Sequence, residues 1–404
     1  MILISILRTY RYRCCLFLAL FLLAGLFSQT ALADGGAPQL AYVAGTAQGI
    51  GVIDIAQQRV TRTIVMHGNP RMVLLSPDGS ALYAAQPTAG EVTIIAARTG
   101  KMLCKAAIPG QPSLLALSLD ATVLYVAGQG DTRVRALNPT TCVVQRTFET
   151  HEPIYGLAVA ASTAADATPF TPNQLWITGN SSVTVYEANG NLLGTVPVAG
   201  GPQYISIPGG FTAYVTTHQG TVVAIDLNTR QVIHTLLTGG QFGPMDYDAS
   251  TGEVFVPDQQ HNLLDVLTPI AATINVVPQE PARVIHLSSS PQSIAITSDG
   301  QFGFVALANG QVLMLDIPGR SIVTSVTVGG TPHFIITGLY PPENSPPSNT
   351  QQTTTSPSST TPGNHFMLIG SLVLAGVLLL LILWLSWRYY RQRLASQRSH
   401  HKRL

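Results

Sequence analysis

Charge is scarce in this chain. Only 10% of its 404 residues are Asp, Glu, Lys or Arg, against about 25% in an ordinary soluble domain. Hydrophobic residues make up 46%. That excludes a disordered chain, which combines low hydrophobicity with high net charge. Cysteine is scarcer still, with four in all. No C-x-x-C or C-x-x-C-H occurs, so a c-type haem is not expected. H-E-x-x-H and G-x-S-x-G are also missing, which argues against a zincin and an α/β-hydrolase. No stretch carries the alternating oxygen ligands and closing Glu of an EF-hand. A basic patch is lacking too: between Asp34 and Tyr340, 12 Lys and Arg stand against 19 Asp and Glu. An acidic middle repels phosphate backbones, so no nucleic-acid partner is expected. No cofactor is expected.

The basic residues gather instead at the two ends, each beside an apolar run. Arg8, Arg11 and Arg13 precede the uncharged Cys14 to Phe27, and Ala31-Leu32-Ala33 follows. A basic start, a short apolar stretch and an A-x-A site predict a secretory signal peptide over 1–33. Phe366 to Trp387 is a second uncharged run of 22 residues. As a helix it measures about 33 Å, enough for a hydrocarbon core of about 30 Å. Trp384, Trp387, Tyr389 and Tyr390 sit at its far end, followed by Arg388, Arg391, Arg393, Arg398, Lys402 and Arg403. Interfacial rings and a basic flank predict a transmembrane helix over 366–387 with a cytoplasmic tail over 388–404. No LPxTG precedes the run, so a retained span is expected rather than wall attachment. Between Pro341 and Asn364, 17 of 24 residues are Pro, Ser or Thr. Such a segment buries little and favours extended polyproline II, so 341–364 reads as a stalk. The expected arrangement is a single-pass type I protein of the cell membrane, with residues 34–340 outside.

Within 34–340 the chain repeats. Pro70, Pro112, Pro153, Pro202, Pro244, Pro291 and Pro332 each open a short apolar run, and the intervals between them are 42, 41, 49, 42, 47 and 41 residues. The two long intervals contain insertions, from Ser162 to Asn173 and around Pro269 to Pro281. After the first run comes a turn such as Ser76-Pro77-Asp78-Gly79, then an aromatic-led strand such as Leu82-Tyr83, Leu124-Tyr125 or Leu175-Trp176. A third strand often ends in Asp, as at Asp54, Asp226 and Asp316, with Asp265 assigned to the same position. A fourth alternates and ends near Gly-Gly. Four strands at a period near 42 predict a β-propeller. Gln39 to Gly68 lacks a first strand, and Thr331 to Gly338 supplies only a first strand. Together they make a seventh blade. The expected fold is all-β, a seven-bladed propeller of four-stranded blades closed by the C-terminal strand, plus one C-terminal transmembrane helix.

Tyr42-Val43, Tyr125-Val126, Tyr214-Val215-Thr216, Ser76-Pro77-Asp78-Gly79 and Val52-Ile53-Asp54 resemble the YVTN-type repeat of bacterial and archaeal surface propellers. The resemblance runs from about Gln39 to Leu339. Its motifs are packing and turn residues, so it implies the propeller fold rather than a function, and the same family resembles lactonase-type and nitrite-reductase haem-domain propellers.

Candidate chemistry lies where sequence-distant loops meet. The loops between blades are expected to bring Arg71, His151, Glu152, Tyr155, Tyr204, Asp246, Gln292 and His333 to the channel mouth. Such a group suits an anionic or sugar-like ligand, or a metal held by His151, Glu152 and His333. The bland alternative is a set of solvated polar residues. The leading reading is a binding or scaffolding module for a protein, glycan or envelope ligand. The other is a lactonase-like hydrolase at the mouth, with or without a divalent metal. Asp54, Asp78, Asp226, Asp265, Asp299 and Asp316 are expected to serve turns rather than catalysis. Cys104 and Cys142 remain after signal removal. An oxidising compartment favours their pairing, while their expected places at or near the outer strands of adjacent blades, which diverge, oppose it. Both outcomes stay open.

Overall fold

The computed structural model describes residues 39–162, 173–270 and 280–341. The expected signal peptide, span and tail, the stalk beyond Pro341, and most of both insertions lie outside these residues. The described chain forms seven four-stranded sheets, six of them meanders in which sequence neighbours pair. In the closing blade the strand Phe334–Leu339 joins Gln39–Thr46 antiparallel, from Ala44 opposite Phe334 to Gln39 opposite Leu339. The chain thus closes on itself as the split repeat predicts.

Each blade is built around one aromatic residue on its second strand. Tyr42, Tyr83, Tyr125, Trp176, Tyr214, Phe255 and Phe304 are all buried. They stack in the layers between blades: Phe304 and Met314 pack against Ala41 and Val43 of the next blade, and Tyr83 and Ile94 against Leu115 and Val126. Burial of such a side chain contributes about 2–3 kcal/mol. β-Branched and aromatic residues suit these strands because both faces are covered. The innermost strands pack against one another round most of the ring, and several open on the prolines found by sequence, as in Pro112–Leu117, Pro202–Ser206 and Pro291–Ile296.

Turn chemistry fixes the edges of the blades. Ser76 Oγ donates to Asp78 Oδ1 at 2.6 Å, and Ser80 N donates to the same oxygen at 3.1 Å. The same clasp recurs at Asp120, with Ser118 and Thr122, and at Asp299, with Thr297 and Gln301. Asp54, Asp226 and Asp316 cap the turns after third strands, accepting from Gln57 N, Thr229 N and Gly319 N. Asp265 does not. It lies in the middle of its third strand, Leu263–Leu267, opposite Val256 and Val284. The sequence register slipped because Leu263-Leu264-Asp265-Val266-Leu267 mimics a strand end at its Asp.

Asp265 is therefore a buried acid. Burial, with the nearby Asp258 charge, lifts its pKa from 3.8 to about 6, while His261 pulls the other way. A folded pKa above the unfolded one means that ionisation opposes folding. The stability it gives as a neutral acid is complete below about pH 4 and is lost as the pH rises to about 6. Asp265→Asn should therefore melt close to wild type at pH 4 and above it at pH 7. The gap should open between those values and reach about 2–3 kcal/mol, at 1.36 kcal/mol per pKa unit. A pH-independent difference in thermal melts would refute this.

Because strands alternate in direction, two sets of loops share one face. These are the loops between blades and the turns from second to third strands. Gln39 and Leu339 stand at the opposite face. The described chain therefore both begins and ends away from the loops that were expected to hold the site.

Candidate functional site

Seven first-strand entrances converge on the axis and enclose a well of about 120 Å³. Arg71, Ser113, Tyr204, Met245, Gln292 and His333 line it, with Gln129 and Gln259 from the turns after second strands. Leu114, Leu115, Leu157, Ile205 and Phe334 supply the apolar part of its lining. All seven blades contribute. Arg71 is the one cation among the lining residues.

Arg71 enters the first strand of its blade after Pro70, its N–H bonded to Ala85 O at 2.9 Å. Among the described residues no carboxylate lies within ion-pair distance of its guanidinium. Its neighbours feel its charge. Burial lifts the Tyr204 hydroxyl above its ordinary pKa, and the charge and hydrogen bond of Arg71 partly reverse that. Burial and then the Arg71 cation push His333 below the ordinary histidine value, so its imidazole is neutral at pH 7.

Four of the expected mouth residues therefore meet in the well: Arg71, Tyr204, Gln292 and His333. The others do not line it. Glu152 is committed to its neighbours, accepting from Ser181 N at 2.9 Å, Ser181 Oγ at 2.6 Å and Ser182 Oγ at 3.3 Å. Burial pushes its pKa up, but these bonds outweigh it and hold the carboxyl below its ordinary value. Asp246 lies between two blades, where Oδ2 accepts from Ile296 N at 2.7 Å. Burial raises its pKa to about 6 against that bond and the Tyr247 N–H. It ties adjacent inner strands, and Thr337 Oγ1 holds the carbonyl of the same Ile296. Tyr155 packs edge-on against the His218 ring, and His151 is exposed. His151, Glu152 and His333 do not assemble: among the described residues no three His, Cys, Asp or Glu side chains form a metal site. A divalent metal at the mouth does not fit these residues.

Sequence reading missed Gln129 and Gln259. Their signal was a glutamine recurring at or just beyond the ends of second strands, at Gln86, Gln129, Gln219 and Gln259. Beside the well lies a wider groove of about 390 Å³, lined by Gln203, Thr217, His218, Gln219, Gly220, Gly239, Gly240, Gln241 and Gln260.

Cys104 and Cys142 form a disulfide, with Cα atoms 6.0 Å apart. Cys142 lies near an outer strand rather than on it. It precedes Val144–Glu149, at φ 61° on the turn from the third strand. That turn, rather than two diverging strands, meets Cys104 on Met102–Ala107 of the neighbouring blade.

The ring defines this protein as a seven-bladed β-propeller. No family profile matches the chain, and no curated protein matches it by sequence. Solved structures share the fold. The periplasmic gluconolactonase PpgL of Pseudomonas aeruginosa is 17% identical, with a TM-score of 0.62 over 75% of this chain and 99% of that one. A functionally unknown protein from Desulfotomaculum acetoxidans is 11% identical, with a TM-score of 0.60 over 72% and 97%. The dihydro-heme d1 dehydrogenase NirN is 14% identical, with a TM-score of 0.54 over 73% and 74%. At such identities the likeness concerns the fold alone.

Proposed function

We propose that this chain is a membrane-anchored, extracellular propeller of the YVTN type that binds a small anionic ligand at its channel mouth. The observation that carries this reading is Arg71: a guanidinium without a carboxylate partner, in a well to which every blade contributes. A planar fork of donors matches a carboxylate in bidentate fashion. In a partly apolar well that attraction is stronger than in open water. Tyr204 and Gln292 supply further hydrogen-bonding groups, and neutral His333 adds no charge to repel Arg71. The expected signal, stalk and span support the surface location. The described chain ends on the face opposite the well.

Full-length protein should bind acetate, phosphate or gluconate. Arg71→Ala should weaken that binding about tenfold or more, the value of one charged hydrogen-bonded pair, with little change in melting temperature. Loss of stability with unchanged binding across the panel would sink the site. Protease on intact cells should release the propeller, and its protection would sink the orientation.

His333 favours a second reading. A neutral imidazole beside Arg71 and Tyr204 has the parts of a general base facing a stabilising cation. The gluconolactonase shares the fold. If the mouth hydrolyses lactones, turnover of gluconolactone should vanish in His333→Gln. Absence of turnover in wild type dismisses it.

A further inference from the structure

We propose that the groove beside the well binds the sugar rings of an acidic oligosaccharide whose carboxylate enters the well. This inference rests on the anion-binding reading of Arg71 and extends it. The groove and the well share a wall: Gln203 and Gln260 line the groove, while their chain neighbours Tyr204 and Gln259 line the well. Arg71 bonds Tyr204, so a carboxylate held there lies on the side of the well where Tyr204 adjoins the groove's Gln203.

The two compartments differ in size and chemistry. The well, at about 120 Å³, admits only a small group. The groove, at about 390 Å³, falls within the range of roughly 300–1,000 Å³ typical of small-molecule sites. No Asp, Glu, Lys or Arg lines it. Its rim carries the primary amides of Gln203, Gln219, Gln241 and Gln260. Each amide presents adjacent donors and an acceptor, which is the pattern of vicinal hydroxyls on a sugar. Among the described residues none of these four amides is used by the protein itself. The loops are held instead through the backbone, by His218 N to Gly201 O at 2.8 Å, Gln219 N to Gly200 O at 3.0 Å and Gly239 N to Gly220 O at 2.8 Å.

The floor needs glycine. Gly220 has φ +75°, and a Cβ there would fall 2.2 Å from Gly240 O, so only glycine lets the two loops close into one floor. One wall is the imidazole of His218, held edge-on by Tyr155 with ring centroids 5.0 Å apart. A fixed ring with an apolar face and a polar edge suits the C–H face of a sugar. A peptide ending in a free carboxylate also meets Arg71, but the groove offers its side chains no apolar pocket.

Calorimetry on the full-length protein tests this with digalacturonic acid, its neutral parent disaccharide, acetate, and a tripeptide with a free C-terminus. Digalacturonic acid should bind at least about tenfold tighter than acetate, the value of one or two added hydrogen bonds. Gln219→Ala with Gln260→Ala should remove most of that gain without shifting the melting temperature, while acetate still binds. Arg71→Ala should weaken both acids. Digalacturonic acid no tighter than acetate, or indifferent to the double substitution, overturns the groove and leaves the anion well standing. A neutral disaccharide as tight as the acid, or a tripeptide tighter than either, overturns the acidic saccharide. Failure of both acids to bind overturns the well and the groove together.

Discussion

A chain that stops at Gly330 should fail to fold into a soluble propeller, whereas one that stops at Pro341 should fold. The eleven residues between them supply the innermost strand of the closing blade, Phe334–Leu339. Its removal uncovers the edge of Gln39–Thr46, which now pairs with it over six residues. An open, long and apolar edge is a template for aggregation. The loss also reaches the neighbours. Ile335 is buried with Phe304 and Met314 of one adjacent blade; Phe334 and Ile336 pack against the cluster that holds Val73 and Leu82 of the other. Thr337 no longer bonds Ile296 O. Loss of one buried aliphatic side chain costs about 2–5 kcal/mol. A whole inner strand exceeds that and rivals the roughly 5–15 kcal/mol that holds an ordinary domain together. His333 leaves with it, so the well loses part of its wall. The measurements are the soluble yield and the thermal melts of the two chains. Equal yield and equal melting would mean that the ring closes without this strand.

The closure was legible because the repeat states it. A proline-led strand missing at the start and surplus at the end has one use in a ring. The blades were legible for a related reason: aromatic positions such as Tyr83 and Phe304, and clasped turns such as Ser76 to Ser80, act locally and recur at a fixed period. Asp265 shows the limit. A five-residue run has too little pattern to fix its register, and a buried acid imitates a turn acid. The site was legible only in part. Which blade entrances reach the axis follows from topology, so Arg71, Gln292 and His333 could be named together. Which side chains are free to meet a ligand depends on neighbours far away in sequence. Ser181 and Ser182 occupy Glu152, and Ile296 occupies Asp246. Neither fact leaves a trace in spacing. Gln129 and Gln259 escaped because their turns approach the axis from the second strands, behind the entrances.

Replacing Cys104 and Cys142 together by Ala should lower the melting temperature by several degrees and leave anion binding intact below it. The bond spans 38 residues. In the chain-entropy account, closing a loop of that length removes about 4 kcal/mol of freedom from the unfolded chain. A change of 1 kcal/mol moves the midpoint by about 2–4 °C in a domain of 150–250 residues, and by somewhat less in a larger ring. Local packing adds to the loss, since Cys142 is buried in the cluster with Leu115, Leu124 and Ala106. Binding should survive because the bond lies on the turn from third to fourth strand, at the face opposite the well. The two blades it joins carry Arg71 and Ser113 into the well, but on the mouth side they are positioned by their own inner strands. A reductant should lower the wild-type midpoint towards that of the variant and leave the variant unmoved. Thiol titration of the unfolded, unreduced protein provides the independent check. Two free thiols there, or a variant that melts with wild type, would show that the bond contributes nothing. Binding lost along with stability would show instead that the bond sets the spacing of the well.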